Sequence, residues 1–420
     1  MKILMVHNAY QEAGGEDEVF RSEKKLLESF GHRVITYLRS NDELQNISPF
    51  QQIAAVPRTV WSSESRRRFA QVLDASTPDV VHIHNTFLVI SPSIYSVCSD
   101  RKVPVVQTLH NFRLLCPGSS FYRDGHVCEE CVDHGLLRSL RYGCFRESRA
   151  ATTVVAVMLA SHRKLDTWQR FVSRFITLTE FSRQKFIASG FSPQKIIVKP
   201  NFVDHDPGER HGIGEYALFV GRLHKNKGVH ILLDAWSRLP GECELQIVGD
   251  GPEREALEAQ ARQLNLSRVT FRGRLPRQEV IAALKNARFT VMPSTWYETF
   301  GMCIAESFAC GTPVICSRLG AMAEIVADHR TGLHFNPGDP QDLADKVSWA
   351  WTHREETQQM GRAARQEFES RFTPEKNYSQ LIQIYEETVN TYARPAKHVK
   401  PDTSAELSRT WDPGPLPTDI

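Results

Sequence analysis

The chain has 420 residues, 41% of them apolar, too long for one ordinary core and suited to two domains of about 200 residues each. A net charge of +2 gives no reason to expect nucleic acid as the main partner, and no apolar run approaches the roughly 20 residues that span a bilayer. The N-terminus MKILMVHNAY lacks the layout of a signal peptide, so a cytoplasmic protein is expected, whose nine cysteines serve as buried thiols or metal ligands rather than disulfides.

In chain order, Lys2–Val6 is a short apolar run that suits a buried parallel strand. The loop Asn8–Gly15 follows and ends on Gly14-Gly15. Glu16–Phe30 reads as a helix, with Val19, Phe20, Leu26, Leu27 and Phe30 at helical spacing and Gly31 just past its end. Arg33–Leu38, Asp79–Ile83 and Val103–Leu109 repeat the strand pattern. The second half restarts it. Strands are predicted at Tyr216–Val220, Glu244–Val248, Val269–Phe271, Phe289–Met292 and Pro313–Cys316, with helices at Gly228–Arg238, Glu253–Leu264, Gln278–Asn286 and Gly301–Cys310 between them. Alternation of this kind implies two doubly wound parallel sheets joined by the linker Asn201–Gly214. Pro374–Tyr392 reads as one more helix, and Pro395–Ile420 is polar and Pro-rich, a composition expected to be disordered.

The C-terminal half carries the densest chemistry. Glu298-Thr-Phe-Gly-Met-Cys-Ile-Ala-Glu306 places one carboxylate in a loop and the other a turn into a helix starting near Gly301 or Met302. The first-turn N–H groups of such a helix are unpaired and its end is positive, so a diphosphate can sit there. Glu306 could then accept from the vicinal hydroxyls of a ribose, and Glu298 could orient sugar hydroxyls. Taken alone, the pair is as well read as surface glutamates on an amphipathic helix. A second loop, Gly221-Arg-Leu-His-Lys-Asn-Lys-Gly228, follows an apolar strand and offers Arg222 and Lys227 to phosphate oxygens. The turn at Val248-Gly-Asp-Gly-Pro252 is a weaker third feature, in which Gly249 would let a nucleotide approach the backbone.

Together these motifs resemble the donor domain of glycosyltransferase family 4. Pro200-Asn-Phe-Val-Asp204 and Gly332-Leu-His-Phe-Asn-Pro-Gly-Asp339 extend the resemblance to about residue 393. Where the family has Gly-Gly after the strand at 313–316, this chain has Gly320-Ala321. The resemblance implies a GT-B fold: two Rossmann-like α/β domains facing a cleft. It implies residues 1–200 as the acceptor side, 205–372 as the donor domain and 373–394 as a helix packing back on the first domain. Arg222 and Lys227 would bind the donor diphosphate and Glu306 the ribose. Glu298 and the backbone of Phe300, Gly301 and Met302 would hold the sugar and distal phosphate. The implied chemistry is retaining transfer from a nucleotide-sugar donor to a glycan or lipid-linked acceptor, with no metal at the phosphates. Each preorganised contact to the leaving group would contribute roughly 2–4 kcal/mol. Asp204-His-Asp206 formally matches a metal-binding Asp-x-Asp but falls in the linker. The other readings are a sugar-nucleotide epimerase on the same fold and a non-catalytic zinc-loop binding module.

In the N-terminal half, Gly14 and Gly15 match the family's glycine loop, Gly15 on the donor side and Gly14 on the acceptor side. His110 matches the family's active-site histidine and is expected to contact the transferred sugar. His84 is an acceptor-side candidate, and His82 is expected to face away from it because strand side chains alternate. The segment 111–148 reads as an irregular insertion holding Cys116, Cys128, Cys131 and Cys144. Four thiols around a Cys-x-x-Cys core suit a closed structural zinc, with free thiols or a redox pair as the alternative. Glu129 and Glu130 would raise the thiol pKa and so argue against a reactive pair. Arg66-Arg67-Arg68 and Arg138, Arg141, Arg146 and Arg149 form basic stretches that either contact anionic lipid peripherally or are simply solvated.

Overall fold

The computed structural model describes residues 1–10, 14–44, 57–239 and 241–393, so the tail expected to be disordered lies outside the described residues. Strand β1 (Lys2–Ala9) buries Ile3, Leu4, Met5 and Val6 in succession, as a strand covered on both faces requires. It pairs in parallel with β2 (Arg33–Ser40) and β3 (Val80–Ile83). After β4 (Val105–Leu109) comes a small antiparallel hairpin, β5 (Tyr122–Arg123) and β6 (His126–Val127), within the cysteine-bearing insertion. β7 (Arg174–Thr177) and β8 (Ile196–Val198) complete a six-stranded sheet in the order β2-β1-β3-β4-β7-β8.

The second half builds another. Strands β9 (Tyr216–Val220), β10 (Leu245–Val248), β11 (Val269–Gly273), β12 (Ala287–Met292), β13 (Val314–Ser317) and β14 (Gly332–Phe335) lie in the order β11-β10-β9-β12-β13-β14. Every neighbouring pair in both six-stranded sheets is parallel. Strands β7, β8 and β14 have no counterpart in the sequence reading. They are three or four residues each.

Helices cover both sheets. The helix Gly15–Ser29 ends where expected, and Gly31 takes a left-handed φ of +81° to turn the chain into β2. The helix Pro374–Ala393 buries Leu381, Ile384 and Tyr385 against Ile3, Met5, Val106 and Ile176 of the first sheet. At the crossing, Val203 N–H donates to the Phe372 carbonyl at 3.0 Å and Asn377 Nδ2 to the Pro200 carbonyl at 2.9 Å. No helix among the described residues is long and apolar enough to cross a membrane.

Strand order reverses at the first strand of each sheet: β1 lies between β2 and β3, and β9 between β10 and β12. The carboxyl ends of strands beside such a reversal are where open α/β sheets bind ligands. Four loops emerge there, after β1, β3, β9 and β12.

Candidate functional site

The two halves face each other across a cleft of about 900 Å³. Tyr10, Gly14, Gly15, Glu16 and Asn111 line it from the first half, and Arg222, Lys227 and Trp296 from the second. A second hollow, about 660 Å³, adjoins it where Arg222 and Gly221 meet Gly249, Asp250 and Arg274.

Beneath Lys227 and Trp296 of the C-terminal wall, Glu298 is nearly fully buried and its Oε1 collects three hydrogen-bond donors. These are Lys227 Nζ at 2.6 Å, Trp296 Nε1 at 2.8 Å and Ser294 Oγ at 2.9 Å. The Lys227 ammonium also sits 5.3 Å from the centroid of the Trp296 ring. Glu306 differs. Its carboxyl has no hydrogen bond or ion pair among the described residues, and burial pushes its pKa up to about 7, with Arg277 opposing the rise. The helix Met302–Ala309 starts at Gly301, whose φ of +80° would strain any other residue, and no side chain caps it. The Phe300 ring points into the core against Phe372, so only its backbone is presented to the loop. Met302 packs partly against the same core. Gly249 has a structural reason beyond any nucleotide: a Cβ there would stand 1.8 Å from the Gly221 carbonyl oxygen.

On the opposite wall, Gly14 and Gly15 open the helix Gly15–Ser29, and Asp17 Oδ2 accepts from the Gly14 N–H at 2.8 Å. Glu16, which the sequence reading passed over, turns inward. Its Oε2 accepts from Asn111 Nδ2 at 3.2 Å and lies 3.3 Å from the Tyr10 hydroxyl. Burial, aided by neighbouring Asp17, pushes the Glu16 pKa up to about 8.

His110 and His84 come together, Nε2 to Nδ1 at 2.9 Å, beside a small cavity of about 40 Å³ that shares Asn111 with the cleft. Burial drives both imidazoles well below their ordinary pKa. The His82 expectation is corrected. Its ring lies 4.2 Å from that of His84, because residues two apart share a strand face. His82 bonds Thr108 Oγ1 at 2.8 Å and the Tyr385 hydroxyl at 2.7 Å instead. Glu23, His82 and His84 are the one group of three or more ligand-type side chains among the described residues within 4.8 Å of one another. Lys199 already supplies their cation, with Nζ 2.6 Å from Glu23 Oε1.

The cysteine insertion reaches across the cleft. Glu129 Oε1 accepts from Lys185 Nζ at 2.6 Å and, on the donor half, from the Tyr297 hydroxyl at 2.8 Å. Thr299 Oγ1 donates to the His110 carbonyl at 2.8 Å. All four cysteines of the insertion are free thiols, near enough that an ionised neighbour would oppose ionisation of Cys131 and Cys144. Burial comes first in pushing Cys131 up to about 12 and Cys144 up to about 11, with the other thiols adding to it. Glu129 and Glu130, expected to be the cause, are engaged by Lys185 and Arg123. No three of the four sulfurs lie within 4.8 Å of one another. The Asp-x-Asp match in the linker is taken up by arginines: Asp204 pairs with Arg277, and Asp206 with Arg365 at 2.6 Å. Of the basic stretches, Arg66 and Arg68 are in surface ion pairs with Asp100 and Glu64, and Arg146 lines the cleft.

Residues 14–201 match the family model of the glycosyl transferase 4-like domain, and residues 205–367 match that of glycosyl transferases group 1. The chain belongs to the family 4 glycosyltransferases. An uncharacterized glycosyltransferase of Methanocaldococcus jannaschii is 33% identical over 193 residues, 46% of this chain and 54% of that protein. A glycogen synthase of Mycobacterium tuberculosis is 37% identical over 173 residues, 40% of this chain and 41% of that protein. The chain thus matches about half the length of these relatives, or less. Among solved structures, HepE of Anabaena in complex with UDP is 21% identical, with a TM-score of 0.64 over 92% of this chain and 100% of that one. The fold is GT-B.

Proposed function

We propose that the protein transfers a sugar from a nucleotide diphosphate donor to a hydroxyl of a glycan or lipid-linked acceptor, with retention at the anomeric carbon. The observation that carries this reading is the donor wall of the cleft. There Arg222 and Lys227 line the cleft, Lys227 held by the buried carboxylate of Glu298, and in the helix that follows Glu306 keeps a carboxyl without a protein partner among the described residues. Arg222, Lys227 and the uncapped helix start at Met302 would take up the charge of the leaving diphosphate electrostatically. The bond from the anomeric carbon to the phosphate oxygen breaks as the acceptor hydroxyl attacks the same face. The hydroxyl proton passes to the departing phosphate. Glu306 would accept from the ribose, and His110 would contact the sugar. UDP bound to the structurally similar Anabaena protein supports a nucleotide donor here.

Three further elements belong to the same proposal. Peripheral contact with a membrane, taken to be at its cytoplasmic face, is supported by the exposed arginines of the insertion and by Leu137, 79% exposed beside them. A structural zinc at Cys116, Cys128, Cys131 and Cys144 is supported by four gathered free thiols. The acceptor side of the cleft is assigned to Gly14 and His84.

The deciding experiment is calorimetry of UDP, GDP and ADP on the wild type and on Glu306→Ala, followed by NMR of the anomeric configuration of any product. Binding of one nucleotide that Glu306→Ala weakens, with a retained anomer, is expected. No binding of any nucleotide would overturn the reading. Interconversion of epimeric nucleotide sugars with no acceptor present, as distinct from hydrolysis, would replace it with an epimerase.

A further inference from the structure

Two neutral imidazoles joined by one hydrogen bond hold one proton between them, so the tautomer of either ring dictates that of the other. His84 and His110 are such a pair, Nδ1 to Nε2 at 2.9 Å. What decides the direction lies on the far side of His84. Its Nε2 stands 3.5 Å from Glu23 Oε2, and both atoms are buried with no hydrogen-bond partner among the described residues. Lys199, also fully buried, holds Glu23 as the carboxylate through Oε1 at 2.6 Å. A carboxylate only accepts, so the His84 proton belongs on Nε2. Its Nδ1 then accepts, and His110 Nε2 must donate. That leaves His110 Nδ1 bare, with no partner among the described residues.

No other group competes for this assignment. His82 lies 3.9 Å from Glu23 Oε2, but both its nitrogens are occupied, by Thr108 and Tyr385. His7 is held by Asp17 at 2.8 Å.

We infer that Glu23 is a positioning residue that acts through His84 to fix the tautomer of His110, so that His110 offers Nδ1 as an acceptor to a hydroxyl of the transferred sugar. The tautomer follows from the buried contacts alone; its use rests on the transferase reading. The consequence for specificity is definite. The sugar must present a hydroxyl proton to His110, and a deoxy analogue at that position leaves Nδ1 unmatched.

Long-range proton–nitrogen NMR spectra of the full chain, with its histidines assigned through His110→Gln and His84→Gln, test this directly. Both rings should carry their proton on Nε2. The double variant Glu23→Leu/Lys199→Met removes both buried charges together, so neither is left unpaired. It should convert His110 to a tautomer mixture. It should also lower kcat for hydrolysis of UDP-glucose, GDP-mannose or ADP-glucose, whichever is accepted, by about tenfold or more at nearly constant KM. A proton on His110 Nδ1 in the wild type, or an unchanged tautomer in the folded double variant, overturns the proposal. If the double variant does not fold, the wild-type spectrum decides alone. Hydrolysis of none of the three donors, with Nε2–H still observed, would instead overturn the use assigned to His110 and leave the tautomer standing.

Discussion

Lys227 Nζ lies 2.6 Å from Glu298 Oε1, so the ammonium that borders the cleft is already paired with a buried carboxylate. On the proposed function, an arriving diphosphate would compete with Glu298 for the same cation. Two further donors, from Ser294 and Trp296, keep Glu298 satisfied when Lys227 turns to phosphate.

Lys227→Ala should weaken nucleotide diphosphate binding by about tenfold to a hundredfold, the equivalent of roughly 1.5–3 kcal/mol for one charge-assisted contact. Glu298→Gln should do the opposite to the bare diphosphate, because it releases Lys227, while the preference for nucleotide sugar over nucleotide falls. Calorimetry of both ligands on both variants checks this. Equal losses for the two variants would mean that the pair acts as a unit and not as competitors.

Glu306 titrates at about 7, raised chiefly by burial. A ribose donates its hydroxyl protons and so favours the carboxylate, which means that nucleotide binding must expel a proton. Affinity should rise as pH climbs through 7 and level off above it. Near pH 7, calorimetry in two buffers of different ionisation enthalpy should show proton release approaching one half per site, and Glu306→Gln should abolish it. Proton uptake on binding would contradict the role given to Glu306.

The parts of this site that sit on strand ends were legible in the sequence, because an apolar run followed by Gly, Arg or Glu marks a loop at the carboxyl edge of a sheet. Arg222 and Lys227, which line the cleft, stand in such a loop, whereas Gly301 and Glu306 were singled out by a helix start and a family resemblance. Glu23, Lys199 and Tyr385 were not. Glu23 and Lys199 are charged residues that read as solvent-facing until tertiary packing encloses them, and they stand 176 residues apart, while Tyr385 falls on the apolar face of its helix with nothing in the sequence to pair it with His82. Glu16 was missed although it follows Gly14-Gly15 directly, because the first turn of a helix is an ordinary place for an acid. The reading of His82 failed through counting, since positions two apart on a strand share a face.

Glu16 gives a stability prediction. Its side chain is 9% exposed and titrates at about 8, facing Tyr10, Asn111, Asp17, Arg113 and His7. The folded pKa exceeds the unfolded one, so the favourable contribution is complete below the unfolded value of 4.5 and is lost as pH rises through 8. Between those limits the loss approaches about 1.4 kcal/mol per pH unit. Glu16→Gln keeps the contacts to Tyr10 and Asn111 and cannot ionise. Urea unfolding from pH 5 to 9 should show the wild type falling and the variant flatter by that slope. Parallel curves would place the Glu16 carboxyl in solvent.

The cysteine insertion yields the last prediction. A tetrahedral zinc with four sulfurs holds them about 3.8 Å apart, given Zn–S bonds near 2.3 Å. Here the four are neighbours, yet no three of them come within 4.8 Å. Closing them on an ion therefore needs movement, and Cys128 and Cys144 are the half-buried pair with room for it. The central Cys-Glu-Glu-Cys also carries Glu129, which reaches Tyr297, the residue before Glu298. Fixing the two cysteines would fix that contact and one edge of the cleft. Elemental analysis of the purified protein should find one zinc per chain. Cys131→Ser, or treatment with a strong chelator, should lower the thermal midpoint and weaken donor binding together, with Tyr297→Phe reproducing the second effect but not the first. Protein produced in zinc-supplemented medium that carries no zinc would leave the thiols free and put the Glu129–Tyr297 contact on packing alone.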